Sequence, residues 1–240
     1  MLHIQRTNDP YELIEGVKFA SFVGGGGKTT LIERLARSCL SRNKSVVIAT
    51  TTKIFAIEPS VTFDDWRNTG SGASFIRMGK TIEDGKLTGL SPDEVSLLGT
   101  VYDVVLVEAD GAKSCPLKFP ADHEPVIIPH SQKVFVVAGM DALFKPFEEA
   151  VFRSQLFRER TGLNPRLVYP DIFLRLFSDD ALLKGTAGMD RTVVLNKYDA
   201  CRHRHMAVIL LRKIMEQTGI SEGVIAAAKY GIYYRLKVNS

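Results

Sequence analysis

Short apolar runs alternate with stretches of helical periodicity along almost the whole chain. The runs fall at 17–23 (VKFASFV), 45–50 (SVVIAT), 74–78 (SFIRM), 103–109 (DVVLVEA), 132–138 (QKVFVVA), 192–196 (TVVLN) and 224–228 (VIAAA). In 103–107 and 133–137 nearly every position is apolar, where a half-exposed strand would alternate. A strand covered by helices on both faces reads that way, so the pattern predicts a mainly parallel sheet. Asp9-Pro10 with Glu12, and Ser91-Pro92 with Glu94, supply a capping residue, a proline at the first helical position and an acid at the third. After Lys28 the apolar positions Leu31, Ile32, Leu35, Ala36, Cys39 and Leu40 recur at helical spacing, as do Met206, Leu210 and Ile214 before Gly219. The expectation is one α/β domain over residues 1–240, doubly wound, with helices on both faces of the sheet. A small antiparallel hairpin, centred on Asp84-Gly85, is expected as an insertion over about 74–90.

Composition narrows the function classes. The chain has 240 residues, 45% hydrophobic and 24% charged, enough to bury a sizeable core. Its 31 basic and 27 acidic residues leave a net charge of +4, without a block of like charges that would form a nucleic-acid arm or a membrane-surface patch. No apolar run approaches the roughly 18 residues of a membrane span. Cys39, Cys115 and Cys201 form no CxxC pair and are odd in number, which suits a reducing cytoplasm. Neither a nucleic acid nor a membrane is therefore expected as a partner.

The densest chemical signal is at 19–32, FASFVGGGGKTTLI. An apolar strand leads into Gly24, Gly25, Gly26 and Gly27, then Lys28, Thr29, Thr30 and an amphipathic helix. This is the setting of a phosphate-binding loop. Glycines let backbone amides curl around an anion, the helix start adds partial positive charge, Lys28 can reach the β and γ phosphates, and the Thr29 hydroxyl can bind Mg²⁺. The common G-x4-G-K-[ST] spacing would need glycine where Phe22 stands. The shorter x-G-G-x-G-K-T form fits through Gly24, Gly25, Gly27, Lys28 and Thr29. That form resembles the branch of P-loop proteins with nitrogenase iron-protein-like ATPases and metallochaperone GTPases. Many of those carry a lysine before the first glycine, and Val23 occupies that place here.

Further candidates lie at the ends of later strands. Glu108 and Asp110 follow the run at 103–107 and are expected to hold Mg²⁺ directly or through water. Thr51, in the Thr50-Thr51-Thr52-Lys53 segment, is a candidate for completing that shell. Asn196, Lys197 and Asp199 form Asn-Lys-x-Asp after an apolar strand. A carboxylate there accepts two hydrogen bonds from guanine, which adenine cannot donate, so the motif favours GTP over ATP. Ala228, after the last run, is expected to read the base oxygen with its amide. Cys201-x-His203-x-His205 has the composition of a metal site, but helical spacing would point His203 away from the other two.

The segments FVGGGGKTTL (22–31), ATTTK (49–53), VEADGAK-x-x-PLK-x-PADHEPVIIP (107–129), VVAGMDALFKP (136–146) and VLNKYD (194–199) together resemble the YqeC-like family, accessory proteins of selenium-dependent molybdenum hydroxylases. The resemblance covers nearly the whole chain. It implies a role in maturing such an enzyme, with the hydroxylase or its maturation proteins as partners. It also implies that 108–124 is the functional surface, with Lys113, Lys118 and His123 as substrate contacts. The combined expectation is a Mg²⁺-dependent nucleoside triphosphatase using GTP or ATP, with Lys28, Glu108 and Asp110 in the catalytic centre. Two alternatives stand beside it: a small-molecule kinase or nucleotidyl transferase with its acceptor near His123, and a nucleotide-gated scaffold with negligible turnover.

Overall fold

The apolar runs assemble side by side. In the computed structural model, which describes residues 2–70 and 72–238, ten strands form one sheet. Their spatial order is Leu2–Thr7, Ile232–Val238, Glu222–Ala227, Arg191–Asn196, Lys133–Gly139, Phe19–Gly24, Val104–Glu108, Val46–Thr50, Phe75–Gly79 and Ser60–Thr62. Glu222–Ala227 through Ser60–Thr62 run parallel. The two strands at the other edge are antiparallel. All seven predicted runs lie in this sheet. The sequence pattern misses the two edge strands, Leu2–Thr7 and Ser60–Thr62, and Ile232–Val238 beside the first. Ser60–Thr62 has three half-buried residues, and His3 to Arg6 are exposed, so neither carries an apolar run.

Both faces are covered, which explains the unbroken apolar runs. Phe22 and Phe135 stack at 4.9 Å on one face, beneath Leu31, Leu35 and Cys39 of the helix Lys28–Leu40. Val134, Val136, Val193 and Leu195 point to the opposite face, under the helices Ser154–Thr161, Pro170–Arg175 and Ala207–Thr218. Val47, Val105 and Val107 meet the helix Pro92–Leu98. That helix starts with the expected capping box of Ser91 and Glu94. The Asp9-Pro10 signal produces only a single 3₁₀ turn, Pro10–Leu13, and the chain turns away at Gly16 with φ +75°.

The expected hairpin over 74–90 is corrected. Phe75–Gly79 pairs parallel with Val46–Thr50, burying Ile76 and Met78 in the main core. A separate two-stranded ribbon would leave those side chains half in water. The antiparallel turn is confined to Ile82–Glu83 and Lys86–Leu87, and Ile54–Phe55 adds a third strand to it.

From Phe19–Gly24 the chain first builds one side of the sheet through 46–50, 75–79 and 104–108. It then builds the other side through 133–139, 191–196 and 222–227. The carboxyl end of Phe19–Gly24 therefore sits where the winding reverses, the place at which open α/β sheets leave a crevice.

Candidate functional site

The four glycines occupy this reversal point for a packing reason that needs no ligand. Gly24 and Gly26 have φ of +97° and +73°. A Cβ on Gly24 would lie 2.2 Å from the Val137 carbonyl oxygen, and one on Gly26 2.1 Å from the Gly139 nitrogen. The loop thus lies flat against the neighbouring strand, where no side chain fits. Its amides are not all open, contrary to the expected ring from Gly24 to Lys28. Gly24 donates to Asp110 Oδ2 (3.0 Å), Gly25 to the Val137 carbonyl (2.9 Å) and Gly26 to the Cys115 carbonyl (3.0 Å). The helix Lys28–Leu40 begins with Gly27 as N-cap, which has no side chain to cap the first turn. Gly27, Lys28, Thr29 and Thr30 line the cleft, so its donors are those of the helix start.

Behind the loop lies a buried chain of alternating charge. Lys28 Nζ is 3.0 Å from Asp110 Oδ1 and 3.8 Å from Glu108 Oε1, and it donates to the Gly24 carbonyl at 2.5 Å. Burial alone would pull the lysine's pKa down, but Asp110 and Glu108 outweigh it and hold it above its ordinary value. Glu108 is pushed up, chiefly by burial and further by Asp110, against the pull of Lys28. Its Oε2 accepts from Thr29 Oγ1 at 3.3 Å. Asp110 continues to Lys118 (3.1 Å), and Lys118 to Glu124 (2.8 Å), which also pairs with Arg153. Burial works against the Glu124 carboxylate, yet hydrogen bonds from Arg153 and Lys118 pull its pKa to about 2.

This network sorts the predicted residues. Glu108 and Thr29 face one another across the cleft floor. Asp110 pairs with Lys28 and Lys118, and its Oδ2 accepts from the Gly24 amide, so it positions the loop, while its buried Oδ1 faces Lys28 without a hydrogen bond. Lys118 is 1% exposed and donates to Gly111 O and Glu124. It is a buried brace, and the expected substrate contact is corrected accordingly. Thr51 donates to the Val126 carbonyl at 2.6 Å, tying two loops together where a metal contact was expected. Lys113 and His123 are exposed and line the cleft.

The Asn-Lys-x-Asp segment reaches the glycine loop from the other side. Asn196 Nδ2 donates to the Gly26 carbonyl (2.9 Å), and its Oδ1 accepts from the Ala228 amide (3.1 Å). The amide expected to read a base is therefore engaged. Lys197 pairs with Asp141 at 3.3 Å, and its stem passes 3.9 Å from where a Gly27 Cβ would be. Asp199 is exposed. Cys201 is buried and His203 packs on Phe144, with ring centroids 4.3 Å apart. Among the described residues no group of three His, Cys, Asp or Glu side chains is placed to hold a metal ion.

The cleft above these residues measures about 1200 Å³. Arg153 and Asp141 are the partners that sequence reasoning missed. They meet Glu124 and Lys197 across 29 and 56 residues of chain, and no local motif marks them. Among the described residues no helix is long and apolar enough to cross a membrane.

Residues 20–155 match the family model described as YqeC protein. Over 215 residues the chain is 31% identical to "Uncharacterized protein YqeC" of Escherichia coli (strain K12), covering 82% of each.

Proposed function

The chain belongs to the YqeC family, and from that premise and the cleft geometry we propose that it is a P-loop protein that binds and hydrolyses a magnesium–nucleoside triphosphate, GTP in preference to ATP, in the maturation of a selenium-dependent molybdenum hydroxylase. The carrying observation is the buried Lys28, held between Asp110 and Glu108 at the uncapped start of a helix that opens on the cleft. A buried ammonium beside free helix-start amides is a site for a multiply charged anion.

Each residue has a role in this reading. The amides of the first helical turn and Lys28 bind the phosphate tail. Thr29 Oγ1 and the Glu108 carboxylate are hard oxygen donors 3.3 Å apart, a set that fits Mg²⁺. The cation would offset charge on the phosphate oxygens. Asp110 and Lys118 keep Lys28 aimed and the glycine loop flat. Asn196 ties the loop to the segment bearing Asp199, whose exposed carboxylate is available to the two donors of guanine. The maturation role rests on the family resemblance alone.

Calorimetric titration of the whole chain with GTP and ATP, each with and without Mg²⁺, tests the proposal. Tighter binding of GTP, strengthened by Mg²⁺, is expected, together with slow phosphate release. Lys28→Ala should weaken binding on the order of 100-fold, the range for a charge-assisted contact to phosphate. Binding of ATP alone would overturn the base assignment. Folded protein that binds neither nucleotide would overturn the whole reading.

A further inference from the structure

The cleft exceeds the size common for a single small-molecule site. Small-molecule sites commonly span roughly 300–1,000 Å³, and this one is about 1200 Å³. The glycine loop accounts for only one end. Much of the remaining lining comes from elements with no part in the phosphate reading: the small sheet carrying Phe55 and Lys86, the loop carrying Lys113, and the short strand Val151–Phe152.

Those elements share a chemistry. Phe55 is 69% exposed, unusual for a phenylalanine within a concave surface. The register pairs it with Lys86, whose Nζ lies 5.2 Å from the ring centroid. Phe152 has Lys113 Nζ at 5.4 Å from its centroid and the Arg153 guanidinium at 4.6 Å. Among the described residues neither Lys86 nor Lys113 pairs with a carboxylate, whereas Arg153 is paired with Glu124 and Lys53 with Glu83. An open ring with one unpaired lysine beside it, and a second unpaired lysine lining the same cleft, suits a ligand both aromatic and anionic. A bare anion would not need the ring, and a neutral apolar ligand would not need the lysines.

Backbone strain points to the same place. Lys113, Ser114, Arg153 and Lys197 all have φ between 44° and 64°, the left-handed region that costs non-glycine residues of order 1 kcal/mol or more. They are four of the seven non-glycine residues in that region among those described, and all four line the cleft. The fold holds cationic side chains at the rim in conformations that local preference disfavours. Strain of this kind clusters at ligand-binding surfaces.

We propose that the outer half of the cleft is the seat of a second substrate, a small planar aromatic molecule bearing a phosphate or carboxylate group, its ring against Phe55 and its anion held by Lys86 and Lys113. Calling it second rests on the nucleotide reading above; the binding itself does not require that reading.

The test uses 1-naphthyl phosphate as the probe, titrated calorimetrically into the whole chain, alone and with saturating guanosine 5′-(β,γ-imido)triphosphate. The probe should bind in both conditions, with 1-naphthol and inorganic phosphate each at least about tenfold weaker. Phe55→Ala and the double variant Lys86→Gln/Lys113→Gln should each weaken the probe by about tenfold or more and leave the nucleotide analogue's affinity within about twofold. Phe55 is exposed, so its loss does not threaten the fold. Lys28→Ala should weaken the nucleotide and spare the probe, which separates failure of one site from failure of the other. Displacement of the probe by the analogue, or equal loss of both ligands in Phe55→Ala, would overturn the proposal by making Phe55 the rest for the nucleotide's own base. Failure of the probe to bind wild-type protein would overturn it directly.

Discussion

Two buried ion clusters sit at opposite rims of the same sheet, and their acids behave in opposite ways. At the rim where the parallel strands begin, Glu222 accepts from Lys133 Nζ (2.6 Å), from Thr192 Oγ1 (3.3 Å) and from Arg235. Burial pushes its pKa up, but Lys133 and Arg235 outweigh that and hold it below the ordinary carboxylate value. At the rim where the strands end, Glu108 lies deeper among surrounding atoms and is held above the ordinary value. Burial again pushes up, and here it wins, because the group is more fully enclosed and because Lys28 is shared with Asp110, whose own charge adds to the push. One cluster gives its acid two cations of its own. The other leaves Glu108, at the edge of a cleft, with a single lysine that sits closer to Asp110. A carboxylate in that state gains from an added cation, and such unmet electrostatics mark sites built to receive something.

The largest expected effect breaks the cluster around Glu222. Glu222→Ala leaves Lys133 to the exposed Asp190 at 3.9 Å and Arg235 to the Glu12 carbonyl at 3.2 Å, and equilibrium urea unfolding should show a loss of about 3 kcal/mol or more, with nucleotide affinity unchanged. A loss under about 1 kcal/mol would show that the cluster is not a structural tie. An intermediate effect comes from Glu124, whose depressed pKa adds stability above the ordinary glutamate value of about 4.3 and loses it as pH falls through about 2. Wild type should exceed Glu124→Gln by about 2 kcal/mol at about pH 6, and the gap should narrow steadily toward about pH 2. A gap independent of pH would assign the effect to packing. Glu108→Gln should change stability least, by under about 1 kcal/mol, because removing a charge that burial disfavours offsets its lost contacts. Its nucleotide affinity should nonetheless lose about tenfold of its Mg²⁺ dependence. Were it to cost as much as Glu222→Ala, the contrast between the two rims would disappear.

The same contrast separates what could be read from the chain from what could not. Gly24 to Thr29 are contiguous, so the strand, turn, lysine and hydroxyl were visible together. The capping box at Ser91 and Glu94 was equally local, and its helix formed. The role of Lys118 was not visible. From the sequence it is one more lysine on a polar turn, and only the fold places it 3.1 Å from Asp110 and 2.8 Å from Glu124. The hairpin failed for a related reason. Its first arm had a better partner in Val46–Thr50, which no local signal could reveal.

By itself the order of residues determined the strands of the parallel core, the helix that follows Lys28 and the family, because these depend on short-range periodicity and contiguous motifs. Only the tertiary structure decided which glycine amides stay open, which acids are matched by cations, and that Phe55, Lys86 and Lys113 share one cleft. Those outcomes depend on groups far apart in the chain, and on how completely each buried charge finds a partner when the sheet closes over it.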